Sequence, residues 1–153
     1  MYGFAIYQLT GIQAGLQFLH ATDEYSIKYD KDIEYRDWLK NHKTVILLDG
    51  GSTNDSTMSP GTMQQFLTEL RLAKIKHTFF REPDLNDSVT AIAFLVNEFA
   101  FDRDKYPEPE KPDPLNLPEV FQQALKERTD WEKLLGKQNV FMRNFLKGKR
   151  LHA

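Results

Sequence analysis

Three carboxylates, Glu82, Asp84 and Asp87, stand within six positions in the stretch REPDLNDSVTAIAF, directly before an apolar run. A carboxylate near a reacting ester can orient a water molecule or take its proton. Pro83 stiffens the segment between Glu82 and Asp84, and the two do not form an obvious acid pair. Asp87 before Ser88 is typical of a turn. Glu82 and Asp84 are therefore candidate catalytic residues, and the alternative is a polar turn that leads into a strand.

Polar side chains also follow the other predicted strands. Gln13 comes after the first strand, Asp49 ends the second, and Asn86 follows the third. Because ligands of open α/β sheets gather where the carboxyl ends of strands meet, we expect one shared polar edge if these strands are parallel neighbours. The alternative is that loops at sheet ends are polar in any protein. The DGGSTN loop after Asp49 could cradle an anion with its amides, but it lacks the lysine and spacing of a P-loop, and a flexible turn is the preferred interpretation.

Hydrophobic periodicity indicates the elements that position these residues. It predicts strands at residues 3–9, 44–48, 76–81 and 89–96, and helices at 12–23, 32–41 and from Ser59-Pro60 onward. In the first helix, Ile12, Leu16 and Leu19 form the apolar stripe. The order β-α-α-β-α-β-β predicts a single α/β domain with a mixed, mostly parallel four-stranded sheet flanked by helices. The last two strands either form a hairpin or lie apart in the sheet.

The composition changes after Phe101. Prolines 107, 109, 112, 114 and 118 predict an extended linker or surface arm over residues 102–118, after an α/β domain at 1–101. A helical basic extension follows at 119–153, and a homodimer could form through it. Its basic residues are Lys137, Arg143, Lys147, Lys149 and Arg150. These cations could contact phosphate, or they could belong to a solvated helix end.

Composition excludes several kinds of protein. The chain has 153 residues, a net charge of −2 and no cysteine, so it offers no disulfide and no thiolate site. Its four histidines show no zinc-ligand spacing, and we expect neither a metal nor a cofactor. The opening MYGFAIYQLTG lacks a basic n-region and predicts a first strand. No apolar run is long enough for a membrane span, so we expect no membrane partner. The absence of cysteine fits a reducing cytoplasm, and we expect a cytoplasmic protein.

The layout of residues 3–98 resembles the type 2 (archaeal and eukaryotic-type) peptidyl-tRNA hydrolase family, a single α/β domain. That family's first helix has the form G-K-x-A-A-Q-x-x-H-A, and GIQAGLQFLHA fills its place, with Gln17 and His20 on the family's glutamine and histidine. RDWLKNHKTVILLD is similar to the family's tryptophan-bearing helix and valine-rich strand, and MQQFLTELRLAKI and KHTFFRE match its next helix and strand. Glu82 falls on the family's acidic residue. Departures are Gln13 in place of the family's lysine, and the short loop DLNDS, with Thr90 standing in for the family's threonine.

The resemblance implies a divergent hydrolase of peptidyl-tRNA or N-acyl-aminoacyl-tRNA, with tRNA or a nucleotide as partner. The alternative is an inactive member of the same fold that binds a protein or nucleotide. A histidine such as His20 on a half-apolar helix is also commonly a packed structural residue. The candidate catalytic residues are Gln13, Glu82, Asp84 and Thr90, and the candidate binding residues are Gln17, His20, Asp49 and Asn86.

Overall fold

The computed structural model describes residues 1–152, which form two compact units. The first unit holds Met1–Leu95 with the residues from Gly148 onward, and the second holds Val96–Lys147. The elements of the first unit are β1 (Tyr2–Ala5), α1 (Gly11–Lys28), α2 (Ile33–Asp37), β2 (Ile46–Asp49), α3 (Thr62–Leu72), β3 (His77–Glu82) and β4 (Ser88–Phe94). Those of the second are α4 (Pro118–Leu135) and α5 (Lys137–Phe145). The α/β class is confirmed.

The four strands form one mixed sheet in the order β2-β1-β4-β3. Only β1 and β2 pair in parallel, whereas β4 runs antiparallel to both β1 and β3. The expectation of a mostly parallel sheet is therefore wrong, because the short turn after β3 sends β4 back as a hairpin. Since β4 opposes both of its neighbours, β1, β2 and β3 still point the same way. Their carboxyl ends share one edge of the sheet.

The helix α1 packs across β3 and β4, but with a different face from the one expected. Its buried residues are Ala14, Phe18, Ala21 and Tyr25. The stripe of Ile12, Leu16 and Leu19 is instead exposed, at 81%, 52% and 52%. Two small alanines on the buried face let the helix come close to the sheet. The larger aliphatic side chains lie on the opposite side.

The contact between α1 and β1 depends on the glycine in the middle of that strand. A Cβ atom on Gly3 would lie 1.9 Å from Cε2 of Phe18 and 2.6 Å from the carbonyl oxygen of Ile92. Glycine in a strand often marks such a close approach. Gly3 therefore sets how closely the buried face of α1 meets the sheet.

The opposite face of the sheet packs against α3. The rings of Phe4 and Phe66 lie 4.5 Å apart between centroids, and those of Phe4 and Phe94 lie 5.6 Å apart. The helix begins at Thr62 with Gly61 as its N-cap, two residues after the expected start at Pro60. With α1 on one face and α3 on the other, both faces of the central strands are covered, which explains their uninterrupted apolar sequences.

The end of the chain covers the outer edge of β2. Leu151 forms an antiparallel bridge with Leu48, and the amide of Asp49 donates to the carbonyl of Arg150 at 2.9 Å. Lys149 lies over the ring of Phe66, 4.0 Å from its centroid, and burial lowers the pKa of its amine. This part of the basic extension is thus built into the first unit. Within residues 1–152, no helix combines the length and apolar character that crossing a membrane requires.

The second unit is organised around Arg143, which is only 6% exposed. Its guanidinium donates to the carbonyls of Ala100 at 2.7 Å and Tyr106 at 2.9 Å. The same group lies over the ring of Trp131, 5.3 Å from its centroid. Arg143 fits neither alternative given for it, contact with phosphate or a solvated helix end, because it is buried and its donors are directed at backbone carbonyls.

Candidate functional site

The register of the sheet brings the strand ends named above to one edge. At that edge Ala5 pairs with Asp49 of β2 and with Ala91 of β4. In the hairpin, Glu82 at the end of β3 lies opposite Ser88 at the start of β4. The carboxyl ends of β1, β2 and β3 therefore meet the amino end of β4. This is the polar edge that the sequence predicted.

Three of the predicted site residues form one hydrogen-bonded chain at this edge. The amide nitrogen of Gln17 donates to a carboxylate oxygen of Glu82 at 2.5 Å. The hydroxyl of Thr90 donates to the amide oxygen of the same Gln17 at 2.6 Å. These partners lie 65 and 73 residues from Gln17 in the chain, so only the fold brings them together. We call this Thr90–Gln17–Glu82 arrangement the glutamine bridge.

A β-bulge turns Thr90 toward the bridge. The pairing of the hairpin passes from Phe80 opposite Ala91 to Arg81 opposite Val89, which leaves Thr90 as an extra residue in β4. Ala91 belongs to the core beneath α1, so strict alternation would turn Thr90 to the other face. The bulge breaks that alternation, and the Thr90 hydroxyl reaches α1. Bulges re-aim side chains in this way and are over-represented beside functional sites.

The strand β3 presents every second side chain to α1. Thr78 donates its hydroxyl to the carbonyl of Ala21 at 2.6 Å, and the ring of Phe80 lies against the ring of His20, with centroids 4.6 Å apart. Glu82 is the third side chain of this row and is half-buried. The row explains why Glu82 faces the helix. It also gives the exposed His20 a packing contact beside the bridge.

Gln13 lies one helical turn before Gln17 and closes the start of α1. Its amide oxygen accepts from the backbone nitrogen of Thr10 at 3.1 Å, while its own backbone nitrogen donates to the Thr10 hydroxyl at 3.5 Å. This reciprocal pattern is a capping box. Because the side-chain oxygen of Gln13 is engaged in the cap, its side-chain nitrogen is the group that remains to donate to a ligand.

The remaining predicted residues do not join the bridge. Asp49 is half-buried and its carboxylate accepts from the amide of Gly51 at 2.8 Å. Asp84 is exposed in a 3-10 turn that spans Pro83–Leu85, so it lies beyond the end of β3. Asn86 ends that turn in the left-handed region, with φ of 56°. Asp84 and Asn86 thus border the edge from the hairpin turn.

Backbone amides of the DGGSTN loop donate to groups of the chain itself. The backbone nitrogen of Asn54 donates to the side chain of Gln64 at 3.0 Å, and that of Gly50 donates to the carbonyl of Ala5 at 2.7 Å. This favours the interpretation of DGGSTN as a turn over that of an anion cradle. Within residues 1–152, no group of three histidine or acidic side chains is arranged to hold a metal ion.

An ion pair that the sequence analysis did not identify ties this loop to β3. Arg81 donates to the carboxylate of Asp55 at 2.7 Å and to the carbonyl of Asp87 at 2.6 Å. The hydrogen bond from Arg81 lowers the pKa of Asp55. The two residues stand 26 positions apart with no local pattern joining them, so the sequence carried no signal for the pair.

This edge offers the carboxylate of Glu82, which is held by the side-chain amide of Gln17. The buried hydroxyl of Thr90 fixes that amide, and the side-chain amide of Gln13 lies one helical turn away. Such a set can bind a polar ligand or orient a water molecule beside a carbonyl group. No protein-family model matches the chain, and no curated protein sequence matches it.

Proposed function

We propose that the chain is an ester hydrolase that acts on peptidyl-tRNA or N-acyl-aminoacyl-tRNA. The glutamine bridge is the observation that carries the proposal. Gln17, Glu82 and Thr90 are positions that the resemblance to type 2 peptidyl-tRNA hydrolases singles out, and they are hydrogen-bonded to one another. A resemblance of layout alone would not require that contact.

In the proposed reaction, Glu82 takes a proton from a water molecule as the water oxygen attacks the ester carbonyl carbon. Gln17 holds one carboxylate oxygen and leaves the other to face the water. The side-chain nitrogen of Gln13 donates to the carbonyl oxygen as charge develops on it. The tetrahedral intermediate then collapses and the bond to the ribose oxygen breaks. That oxygen takes back the proton from Glu82, so the products are the ribose hydroxyl of the tRNA and the free acyl or peptidyl acid.

The tRNA would be held through its phosphates by exposed cations. Arg150 is exposed in the same unit as the glutamine bridge, whereas Arg143 is buried and excluded from this role. Phosphate contacts position a nucleic acid and weaken with salt, so the Michaelis constant should rise with ionic strength.

The test is release of labelled N-acetyl amino acid from N-acetyl-aminoacyl-tRNA. Glu82→Gln should lower the rate by about 100-fold or more, the usual contribution of a general base. Glu24→Gln, an exposed carboxylate of α1, is the matched control and should keep the wild-type rate. Asp84→Asn tests the other candidate acid. An inactive wild type would refute the hydrolase, and an active Glu82→Gln would refute this assignment of the base.

A second candidate function is a binding module that kept the fold without the chemistry. The observation that favours it is Gln13, an uncharged capping residue where the resembled family has a lysine. A module of this kind would bind uncleaved N-acetyl-aminoacyl-tRNA or a nucleotide. Gln13→Lys distinguishes the two functions, because a retained hydrolase should gain rate from the added cation and a binding module should show no turnover with either residue.

A further inference from the structure

The second unit contains a groove between its Pro-rich segment and one face of α4. The groove has a volume of about 520 Å³, within the range of ligand-binding clefts. Pro109 and Glu110 line one side. Glu119, Val120, Ala124 and Glu127 of α4 line the other.

The floor of the groove is apolar. Val120 and Ala124 lie one turn apart on α4, so they share a face, and Pro109 contributes its ring from the facing segment. Val120 remains 51% exposed, and Leu117 at the N-cap of the same helix is 74% exposed. Exposed apolar side chains that line a concave surface are typical of a contact site for a partner.

The rim of the groove carries carboxylates. Glu119 and Glu127 stand two turns apart on α4, and Glu110 faces them from the Pro-rich segment. Within residues 1–152, none of these three carboxylates forms an ion pair. The nearby Arg128 is engaged by Glu108 at 3.4 Å and Glu132 at 3.2 Å. Glu127 accepts a hydrogen bond from the neutral side chain of Gln123, which also lines the groove, at 2.7 Å. The groove therefore combines apolar side chains with three carboxylates that form no ion pair within the described residues.

We propose that this groove binds a basic amphipathic helix of a protein partner. Apolar side chains of that helix would enter between Pro109 and the Val120–Ala124 face, and its lysines or arginines would lie against the three rim carboxylates. In helix-in-groove binding, an amphipathic helix lays its apolar face into a hydrophobic groove. Complementary charge sets the choice of partner and speeds the encounter more than it adds affinity. The proposal is independent of the hydrolase site, because every residue it uses lies within Val96–Lys147.

The test measures fluorescence anisotropy of a labelled helical peptide of leucine and lysine, titrated with the full chain. Two matched peptides replace lysine by glutamate or leucine by serine, and both should bind at least about tenfold more weakly. The double variant Glu119→Gln/Glu127→Gln should also bind about tenfold more weakly, and added salt should weaken binding to the wild type. Asp23→Asn/Glu24→Gln removes two exposed carboxylates from α1 and should bind like the wild type.

Three results would overturn the proposal. One is no binding of the leucine–lysine peptide at up to about 1 mM of the chain. Another is equal affinity of the two double variants, which would show a nonspecific attraction to acidic surface. The third is a wild-type dimer in sedimentation that the groove variant loses, which would make a second copy of the chain the occupant.

Discussion

At the scale of the residue, the amide of Gln17 can take only one orientation. A carboxylate accepts hydrogen bonds and does not donate them, so the nitrogen of Gln17 must face Glu82. The hydroxyl of Thr90 completes the assignment by donating to the oxygen. Thr90 therefore fixes the amide that holds Glu82, although it does not touch the carboxylate in the bridge. A residue that acts in this way is a positioning residue.

Thr90→Val tests that role at nearly constant shape. The substitution removes the donor at a fully buried position and leaves the oxygen of Gln17 without its bond. We expect a loss of about 1–2 kcal/mol of unfolding free energy in urea titrations, the cost of an unsatisfied buried polar group. Thr129→Val is the control, because the Thr129 hydroxyl is exposed and donates to a carbonyl within α4. Equal losses in both variants would contradict a special role for Thr90.

At the scale of the element, sequence patterns identified the strands and helices and the buried face of α3, but not the buried face of α1. Both stripes of α1 have helical spacing, and the exposed Ile12–Leu16–Leu19 stripe carries more aliphatic side chain than the buried stripe, which includes Ala14. The buried stripe meets the sheet where Phe18 lies against Gly3, a residue without a side chain, and that contact is not local in the sequence.

The direction of the strands and the details of the site could not be predicted from the sequence, for similar reasons. An apolar run shows that a strand is buried on both faces, but it does not show which way the strand runs. The shared edge was predicted correctly because β1, β2 and β3 do point the same way. The bulge that turns Thr90 inward has no mark in VTAIAF, since it arises from how β4 pairs with β3.

Gly3→Ala tests the close approach of α1 to the sheet. The added methyl group would meet Phe18 and the carbonyl of Ile92, so the helix must shift. We expect a loss of about 1–3 kcal/mol of unfolding free energy and, because α1 carries Gln17, a lower affinity or rate at the site. Gly15→Ala is the matched control: its Cβ would meet nothing within 4 Å, and alanine favours a helix, so its stability should be equal or higher.

The Asp55–Arg81 pair gives the loop between β2 and α3 a dependence on pH. The hydrogen bond from Arg81 lowers the folded-state pKa of Asp55, so its stabilisation is present above the unfolded pKa and is lost as pH falls through the folded value. Asp55→Asn should therefore be less stable than wild type at pH 7. The side chains are 40% and 49% exposed, so the difference should stay within about 1 kcal/mol.

Urea titrations at several pH values would measure that difference. It should begin to narrow as the pH falls below the ordinary pKa of aspartate, about 4, and should close at the lower pH at which Asp55 of the folded wild type takes up its proton. Asp104→Asn, at an exposed position outside the pair, should show no such change. A gap between Asp55→Asn and wild type that widens on acidification would contradict this account.

At the scale of the whole molecule, each of the two units has its own core. The first is centred on the sheet and α1, where Phe18, Ala21, Tyr25 and Ala91 belong to one buried cluster. The second has no strand and is organised by a cation. The guanidinium of Arg143 in α5 donates hydrogen bonds to carbonyls within residues 99–106, and the ring of Trp131 in α4 lies against it. Buried arginine is rare without partners, and here backbone carbonyls supply them.

Arg143→Met should therefore weaken the second unit. Methionine keeps much of the apolar stem but removes the donors to Ala100 and Tyr106 and to the more distant carbonyls of Phe99 and Asp102, at 3.4 and 3.3 Å. Because hydrogen bonds to a charged group are each worth about 1.5–3 kcal/mol, we expect a loss of at least about 3 kcal/mol in the local stability of residues 96–147. Hydrogen exchange should show faster exchange of the amides in α4 and α5.

Since every contact of Arg143 described above lies inside the second unit, the amides of β1 and β4 should keep their protection. Lys147→Met removes an exposed cation near the same helix end and should leave the exchange pattern unchanged. An Arg143→Met protein with wild-type exchange in α4 and α5 would show that packing, and not the arginine, holds this unit together.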